Sequence, residues 1–365
     1  MPHIAYKYRL YPTALQRELL AKTFGCCRKV YNLMLADKIR HYQETGEMLQ
    51  TTPAQYKTEY PFLKEVDSLA LANEQLHLQT AYKNFFRDPK VGFPKFKSKR
   101  CDSNSYTTNL ISGNIRILDK QIKLPKLGLV KARVHRAAPA DYKLKSVTVS
   151  QERDGSYYAA VLYEYEETLM PAQFATHIGL DYASHGLYVD SNGEACDMPG
   201  FYRKAQKHLA KLQRRASRKQ KDSSNRRKAN RHIARLARHV ANQRKDFLHK
   251  KSTEITNQYD IISVEDLNMH GMAQSLRLGK ATLDNGYGMF LNMLQYKQER
   301  LGHQLIRIGK HFPSSQLCQC GYQNPVTKDL AVRKVTCPRC GRSYDRDHNA
   351  AINIDREGYR IATAA

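Results

Sequence analysis

Three widely separated acids, each next to an apolar segment, constrain the fold of this chain more than any other feature. Asp181 ends the apolar run HIGLD, Glu265 ends IISVE, and Asp347 opens an apolar helix in SYDRDHNAAINI. A carboxylate at the end of a buried strand is unfavourable unless it binds something. The pattern therefore predicts a fold that brings the three together around a cation. Three unrelated strand-end caps or ion pairs would give the same pattern.

The net charge indicates the class of partner. Among 365 residues, 60 Lys or Arg stand against 34 Asp or Glu, a formal net charge of +26. Such a charge favours polyanionic partners, of which nucleic acid is the commonest, although a ribosomal-type or merely soluble basic protein is the alternative. In a basic protein, converging acids suggest Mg²⁺, which prefers carboxylate and water oxygens and leaves positions for a substrate phosphate. Two such ions can clamp the attacking water and the leaving oxygen of a phosphodiester.

Neither a membrane span nor a secretory signal is evident in the sequence. No run approaches the roughly 18 apolar residues of a spanning helix. The opening MPHIAYKYRLYPT lacks the apolar region of a signal peptide. We therefore expect an intracellular protein in a reducing compartment, with no membrane partner.

Half of the eight cysteines cluster within 23 residues: Cys318, Cys320, Cys337 and Cys340. In a reducing compartment this suggests metal rather than disulfides. Four thiolates satisfy tetrahedral Zn²⁺ without an open position, so the predicted site is structural. The first pair, C-x-C, is shorter than usual, which would weaken the site or recruit a substitute ligand such as His311. The remaining cysteines are expected to be buried small hydrophobes: Cys26, Cys27, Cys101 and Cys196.

Periodicity predicts the elements of the N-terminal half. Alternation over residues 3–11 predicts a strand, and helical spacing predicts helices from Leu15 and over 68–86. Residues 88–170 have the pattern of short strands, which predicts a β-rich domain and suggests a barrel. Lys and Phe alternate in DPKVGFPKFKSK, a pattern that can pair phosphate contact with base stacking, the alternative being a basic hairpin with its aromatics in the core.

Residues 200–251 form the most basic stretch of the chain, with nineteen Lys or Arg and two acids. An apolar stripe through this stretch predicts two long helices broken near residues 222–225. The excess of cations indicates phosphate recognition rather than a merely solvated face. Residues 270–286, rich in Gly and polar groups, are expected to form a mobile loop, and 287–301 an amphipathic helix.

Several motifs together resemble the TnpB proteins encoded by bacterial insertion sequences. They are IGLDYAS, SVEDLN, FPSSQLCQCGYQN, CPRCG and DRDHNAAINI, and the opening AYKYRLYPTALQRELLAKTFGCCRKVYN is similar to that family's N-terminus. TnpB proteins are RNA-guided DNA endonucleases, ancestral to type V CRISPR effectors. The resemblance covers nearly the whole chain.

The resemblance implies an α+β multidomain fold. Its parts would be a β-barrel wedge domain, a helical recognition insertion, an RNase H-like RuvC nuclease domain, and a zinc-ribbon insertion that binds target nucleic acid. The wedge domain would comprise residues 1–13 and 88–172, and the recognition insertion residues 14–87. The RuvC nuclease domain would comprise residues 173–317 and 341–365, and the zinc ribbon residues 318–340.

The resemblance also implies the roles of the site residues. The catalytic, Mg²⁺-binding acids of the family match Asp181, Glu265 and Asp347, which would hold two Mg²⁺ ions. Asp347 is preferred to Asp345 because the family's acid stands two residues before the Asn of D-x-N-A-A, here Asn349. The four clustered cysteines would hold one structural Zn²⁺.

The function implied is cleavage of double-stranded DNA complementary to a guide RNA, the transposon-end omega RNA, next to a short flanking motif. Residues 75–83 and 105–109 lie where the family reads that motif, and 270–286 would act as a lid. The protein would be a monomer on one RNA, in the bacterial cytoplasm and associated with the nucleoid. The alternatives are a nuclease-inactive RNA-guided repressor, a strand-transfer transposase (although no helix-turn-helix is evident), and a non-catalytic zinc-ribbon RNA-binding protein.

Overall fold

The chain divides into two compact units, Met1–Glu167 and Thr168–Ala365. The structure, a computed structural model, describes residues 2–99, 104–166, 175–183, 186–269, 284–329 and 332–364. It has mixed α+β content throughout. Each unit has its own hydrophobic core.

The first unit is built on a seven-stranded antiparallel sheet in the order β2-β6-β7-β1-β5-β4-β3. The strands are β1 (His3–Tyr11), β2 (Asn104–Asn109), β3 (Arg116–Ile117), β4 (Gln121–Leu124), β5 (Gly128–Arg133), β6 (Lys143–Gln151) and β7 (Tyr157–Glu164). The alternation in β1 buries Tyr6, Tyr8 and Leu10, as expected for a sheet with one face in the core. No ladder joins β2 to β3 among the described strands, so closure into a barrel stays a prediction.

Between β1 and β2 the described residues form two α-helices, α1 (Ala14–Thr45) and α2 (Ser68–Arg87). A capping box starts α1, where the Thr13 hydroxyl accepts from the backbone N–H of Gln16 and the Gln16 side chain accepts from that of Thr13. The helix ends at Gly46, whose φ of +73° is the left-handed conformation that glycine tolerates best. The predicted strand over 3–11 and both predicted helices are confirmed.

The prediction of strands from residue 88 is wrong for the first part of that range. The Lys/Phe segment contains a short 3₁₀ helix, and the first strand after it is β2. Phe93 and Phe96 are 46% and 56% exposed, so they are not the core of a hairpin. One of the lysines, Lys97, pairs at 2.6 Å with the buried Glu74 instead of facing solvent.

The second unit contains a five-stranded mixed sheet in the order β10-β9-β8-β11-β12. Its strands are β8 (His177–Tyr182), β9 (Tyr188–Asp190), β10 (Ala195–Cys196), β11 (Ile261–Glu265) and β12 (Gln304–Ile308). The strands β8, β11 and β12 run parallel, whereas β9 and β10 are antiparallel additions. A small hairpin of β13 (Lys334–Thr336) and β14 (Ser343–Asp345) follows β12.

Within the described residues, this unit has four long helices: α3 (Phe201–Ser217), α4 (Ser224–Thr256), α5 (Tyr287–Leu301) and α6 (Arg346–Ala364). The predicted break between the two basic helices is confirmed, and the Ser223 hydroxyl caps α4 by accepting from the backbone N–H of Arg226. The prediction for α5 is also confirmed. Residues 270–283 of the predicted mobile loop lie outside the described residues. Within the described ranges, no helix has the length and apolarity needed to cross a membrane.

The last helix packs on the sheet with almost no space between the two backbones. An added Cβ at Gly179 of β8 would lie 2.2 Å from the carbonyl oxygen of Ala351, and one at Gly358 would lie 1.8 Å from Oγ of Ser263 in β11. Only glycine allows this approach. Thus α6 is held directly against the two strands that end in acids.

Three scattered cysteines, Cys26, Cys27 and Cys196, are buried, as expected for small hydrophobes. Cys101 lies outside the described residues.

Candidate functional site

Two of the predicted acids lie side by side at one edge of the mixed sheet. The residues that precede them are buried, 178–180 in β8 and 261–264 in β11, as is typical of parallel strands covered on both faces. The register pairs Leu180 of β8 with Val264 of β11, so Asp181 and Glu265 follow at the same level. The carboxyl ends of the two parallel strands therefore place both acids next to each other.

The third acid reaches this edge from the first turn of α6. The Asp345 carboxylate accepts hydrogen bonds of 3.0 Å from the backbone N–H groups of both Asp347 and His348, so Asp345 caps the helix. Asp347 is the second residue of α6 itself. This difference in role supports the choice of Asp347 over Asp345 as the site residue.

The pKa values show that the negative charges are crowded. Burial raises the pKa of Asp181 well above its ordinary value, and the charges of Glu265 and Asp347 raise it further. Burial also raises the pKa of Glu265. The buried Tyr287 hydroxyl has a raised pKa, first from burial and then from Asp181 and Glu265. Carboxylate oxygens are the donor type that Mg²⁺ prefers, so the residues present fit that ion.

Hydroxyl and guanidinium groups surround these acids. The Ser314 hydroxyl donates to Oε1 of Glu265, and the Arg333 guanidinium donates to Oδ2 of Asp347. Nε of Arg346 lies 3.8 Å from Oδ1 of Asp347. Sequence reasoning missed all three. Ser314 lies in the motif FPSSQLCQCGYQN and Arg346 in DRDHNAAINI, but nothing in the spacing of either motif indicates a contact with an acid.

The four clustered cysteines converge more tightly than the acids. Their sulfur atoms all lie within 4.8 Å of one another, and within the described ranges no other group of three or more potential metal ligands does so. Sγ of Cys318 lies 3.7 Å from Sγ of Cys340, and Sγ of Cys320 lies 3.7 Å from Sγ of Cys337. The short C-x-C pair thus contributes both sulfurs to the cluster, and His311 is not one of the converging groups.

Two turns shape this cluster, and each is closed by the backbone N–H of a glycine. The backbone N–H of Gly321 donates to the Cys318 carbonyl and that of Gly341 to the Cys337 carbonyl, both at 2.9 Å. Both glycines have the positive φ that such turns require, +83° and +72°. Although burial raises it, the pKa of Cys337 lies at about 7 because backbone N–H groups of Cys340 and Arg339 stabilise its thiolate. The donor set is compatible with a structural Zn²⁺.

A basic cleft of about 420 Å³ lies between α3 and α4. The described residues that line it include no acid: Leu212, Arg215, Arg218, Lys219, Asn225, Lys228, Ala229 and His232. The cleft gives the predicted phosphate-binding helices a concave, cationic surface.

Comparison with protein families identifies three regions of the chain. A model described as "Probable transposase" matches residues 160–276, one described as "Helix-turn-helix domain" matches residues 1–47, and one described as "Cas12f1-like, TNB domain" matches residues 287–354. Over residues 2–47 the structure has β1 and the single 32-residue helix α1, rather than two helices joined by a turn.

Comparison with curated proteins finds relatives along nearly the full length. A Streptomyces pristinaespiralis protein named "Putative RNA-guided DNA endonuclease" is 36% identical over 362 residues, which cover 96% of this chain and 88% of the relative. The Escherichia coli K12 protein "Putative RNA-guided DNA endonuclease InsQ" is 31% identical, with 98% and 92% covered.

The fold is also similar to that of a solved structure. A chain of the cryo-EM structure of the Cas12f1–sgRNA–target DNA complex superposes with a TM-score of 0.64 at 12% identity, covering 97% of this chain and 98% of that one. At this identity the likeness concerns the fold alone. The relatives, the three family models and the motifs agree, and the chain belongs to the TnpB family of transposon-encoded RNA-guided DNA endonucleases.

Proposed function

We propose that this protein binds a guide RNA derived from a transposon end and cleaves complementary double-stranded DNA next to a short flanking motif. The observation that carries the proposal is the parallel register that places Asp181 beside Glu265, with Asp347 near enough for its charge to raise the pKa of Asp181. A bound cation would offset the repulsion between these carboxylates. The net charge of +26 favours a substrate rich in phosphate.

The acids fit Mg²⁺, and we propose that they hold two ions. When bound, these ions would supply an activated water and stabilise the leaving 3′ oxygen of a phosphodiester. Asp181 and Glu265 lie at the ends of adjacent parallel strands, and Asp347 lies in the first turn of α6, close enough for its charge to act on Asp181. Arg333 and Arg346 lie beside Asp347, where a guanidinium can also meet a DNA phosphate.

The wider architecture is proposed from the order of the elements. The sheet of β1 to β7 would be the wedge domain, with α1 and α2 inserted after β1 as the recognition part. The sheet of β8 to β12 with α6 would be the RNase H-like RuvC domain. The cysteine turns and the β13–β14 hairpin would be the target-binding zinc ribbon, inserted between β12 and α6.

The basic hairpin of α3 and α4 supports a nucleic-acid partner independently of the acids. Arg215, Arg218, Lys219 and Lys228 are exposed and form no ion pair with an acid in the described part of the chain. Unpaired cations along a cleft favour a phosphodiester backbone. We assign this cleft to the guide RNA or its duplex with target DNA.

The test starts from the RNA that copurifies with the protein. We would sequence that RNA, build a plasmid that matches its guide portion, and measure cutting with and without Mg²⁺. Asp181→Ala should abolish cutting yet leave RNA and DNA binding intact. Asp266→Asn, an exposed acid beside Glu265, is the matched control and should cut normally. Undiminished cutting by Asp181→Ala would overturn the metal assignment.

Strand transfer is the second candidate, because the matching model for residues 160–276 is described as a transposase. That activity would join transposon-end DNA without any copurifying RNA. A nuclease-inactive repressor would bind RNA and matching DNA but leave the plasmid uncut.

A further inference from the structure

The segment from Ser314 to Cys318 joins the carboxylate site to the cysteine cluster. At its start, the Ser314 hydroxyl donates to Oε1 of Glu265. At its end, Cys318 is one of the four clustered thiols. Ser314 is 5% exposed, so its hydroxyl has little access to water as an alternative partner.

Two buried asparagines of α6 hold this segment in place. Nδ2 of Asn353 donates to the carbonyl oxygens of Ser314 at 2.8 Å and Leu317 at 2.7 Å, and Nδ2 of Asn349 donates to that of Leu317 at 2.7 Å. Asn349 and Asn353 are 2% and 7% exposed. Their spacing of four residues places them on the same face of the helix.

These contacts share one helix with the third acid. Asp347 lies two residues before Asn349, in the first turn of α6. Therefore α6 carries one carboxylate itself and fixes the backbone of the serine that contacts another. Buried amides that lost such partners would be left unsatisfied, which makes the arrangement strongly preferred over nearby ones.

We propose that Ser314 is a positioning residue for Glu265, and that Asn349 and Asn353 hold it there. The inference rests on the proposed function, because it assigns Glu265 to Mg²⁺. A glutamate side chain has several rotatable bonds, and a hydrogen bond to Oε1 selects one arrangement while leaving Oε2 free to bind metal. Partners of this kind, one step removed from the ion, typically contribute tenfold or more to metal affinity or activity.

The neighbouring serine offers a matched control. Ser315 stands next in the chain and is less buried. Replacing either serine with alanine removes one hydroxyl from the same loop. A general disturbance of the loop would therefore affect both variants, whereas loss of the Glu265 contact would affect only one.

The experiment measures Mn²⁺ binding to the zinc-loaded protein–RNA complex by calorimetry, and the Mg²⁺ concentration for half-maximal cutting. Ser314→Ala should weaken Mn²⁺ binding about tenfold and raise the required Mg²⁺ similarly. Ser315→Ala should change neither, and Ser314→Thr, which keeps the hydroxyl, should recover most of the affinity. Unchanged Mn²⁺ affinity in Ser314→Ala, or an equal loss in both alanine variants, would overturn the assignment.

The two sets of variants separate the positioning role of Ser314 from the nuclease activity. If Asp181→Ala is inactive while Ser314→Ala binds Mn²⁺ normally, the nuclease site stands and the positioning role falls. If Asp181→Ala cuts normally, the nuclease site itself falls.

Discussion

The close approach of α6 to β8 makes Gly179→Ala the most direct test of how the site is assembled. The added Cβ would lie 2.2 Å from the carbonyl oxygen of Ala351, and 2.5 Å from the backbone nitrogen of Asp355. Both clashing atoms belong to the helix backbone, so no side-chain rotation can relieve the overlap. The helix and the strand must separate.

The size of the effect follows from the overlap. Restoring an ordinary contact of 3.4 Å from 2.2 Å requires a shift of 1.2 Å. Overpacking of this kind costs about 1–3 kcal/mol, and a clash with backbone belongs near the upper end. At roughly 2–4 °C per kcal/mol for a unit of this size, the melting temperature should fall by about 6–12 °C. Because Asp347 moves with α6, cutting should fall by roughly a hundredfold.

Thermal unfolding followed by circular dichroism, together with the plasmid assay, checks both numbers. Gly288→Ala is the matched control, since this exposed glycine of α5 has nothing within 4 Å of an added Cβ. It should melt at the same temperature or slightly higher, because alanine favours helix. A Gly179→Ala protein that melts within 2 °C of the unsubstituted protein (about 0.5–1 kcal/mol) and cuts at full rate would refute the packing argument.

Three further predictions concern charge, zinc and RNA. Because the pKa of Asp181 is raised in the folded protein, ionisation of this carboxyl opposes folding at any pH above its pKa in the unfolded chain, which is about 4. Asp181→Asn should therefore raise the melting temperature of the EDTA-treated protein at pH 7. Near pH 4 the melting temperatures of the two proteins should be the same. Cys337→Ser should reduce bound zinc from about one per chain towards zero by mass spectrometry, whereas His311→Ala should retain it. Replacing Arg215 and Lys228 with alanine should lower the salt dependence of RNA binding by up to about two counterions, measured by titration at several salt concentrations.

Much of the fold could be predicted because its signals are local. The alternation of β1 and the helical stripe of α5 depend on neighbouring residues, and both strand-end acids follow short, mostly apolar runs. The parallel register that places Asp181 beside Glu265 is not local, but parallel strands share a carboxyl edge whatever their spacing.

What escaped prediction depends on partners far away in the sequence. Ser314 contacts Glu265 across 49 residues, and no pattern around either residue signals that contact. The prediction of strands in the segment DPKVGFPKFKSK failed for a related reason. Lys97 pairs with Glu74 in α2, and Phe93 lies against Tyr82 of the same helix, so tertiary contacts override the period of two.

The order of the acids along the chain has a consequence for the newly made protein. Translation at roughly 5–20 residues per second needs about 4–16 s to cover the 82 residues between Glu265 and Asp347. During that interval the basic hairpin of α3 and α4 has already been synthesised, while α6 has not. A ribosome-bound chain therefore displays its cationic surface before its third carboxylate exists, and we expect the nascent protein to be able to capture RNA before it can cut DNA.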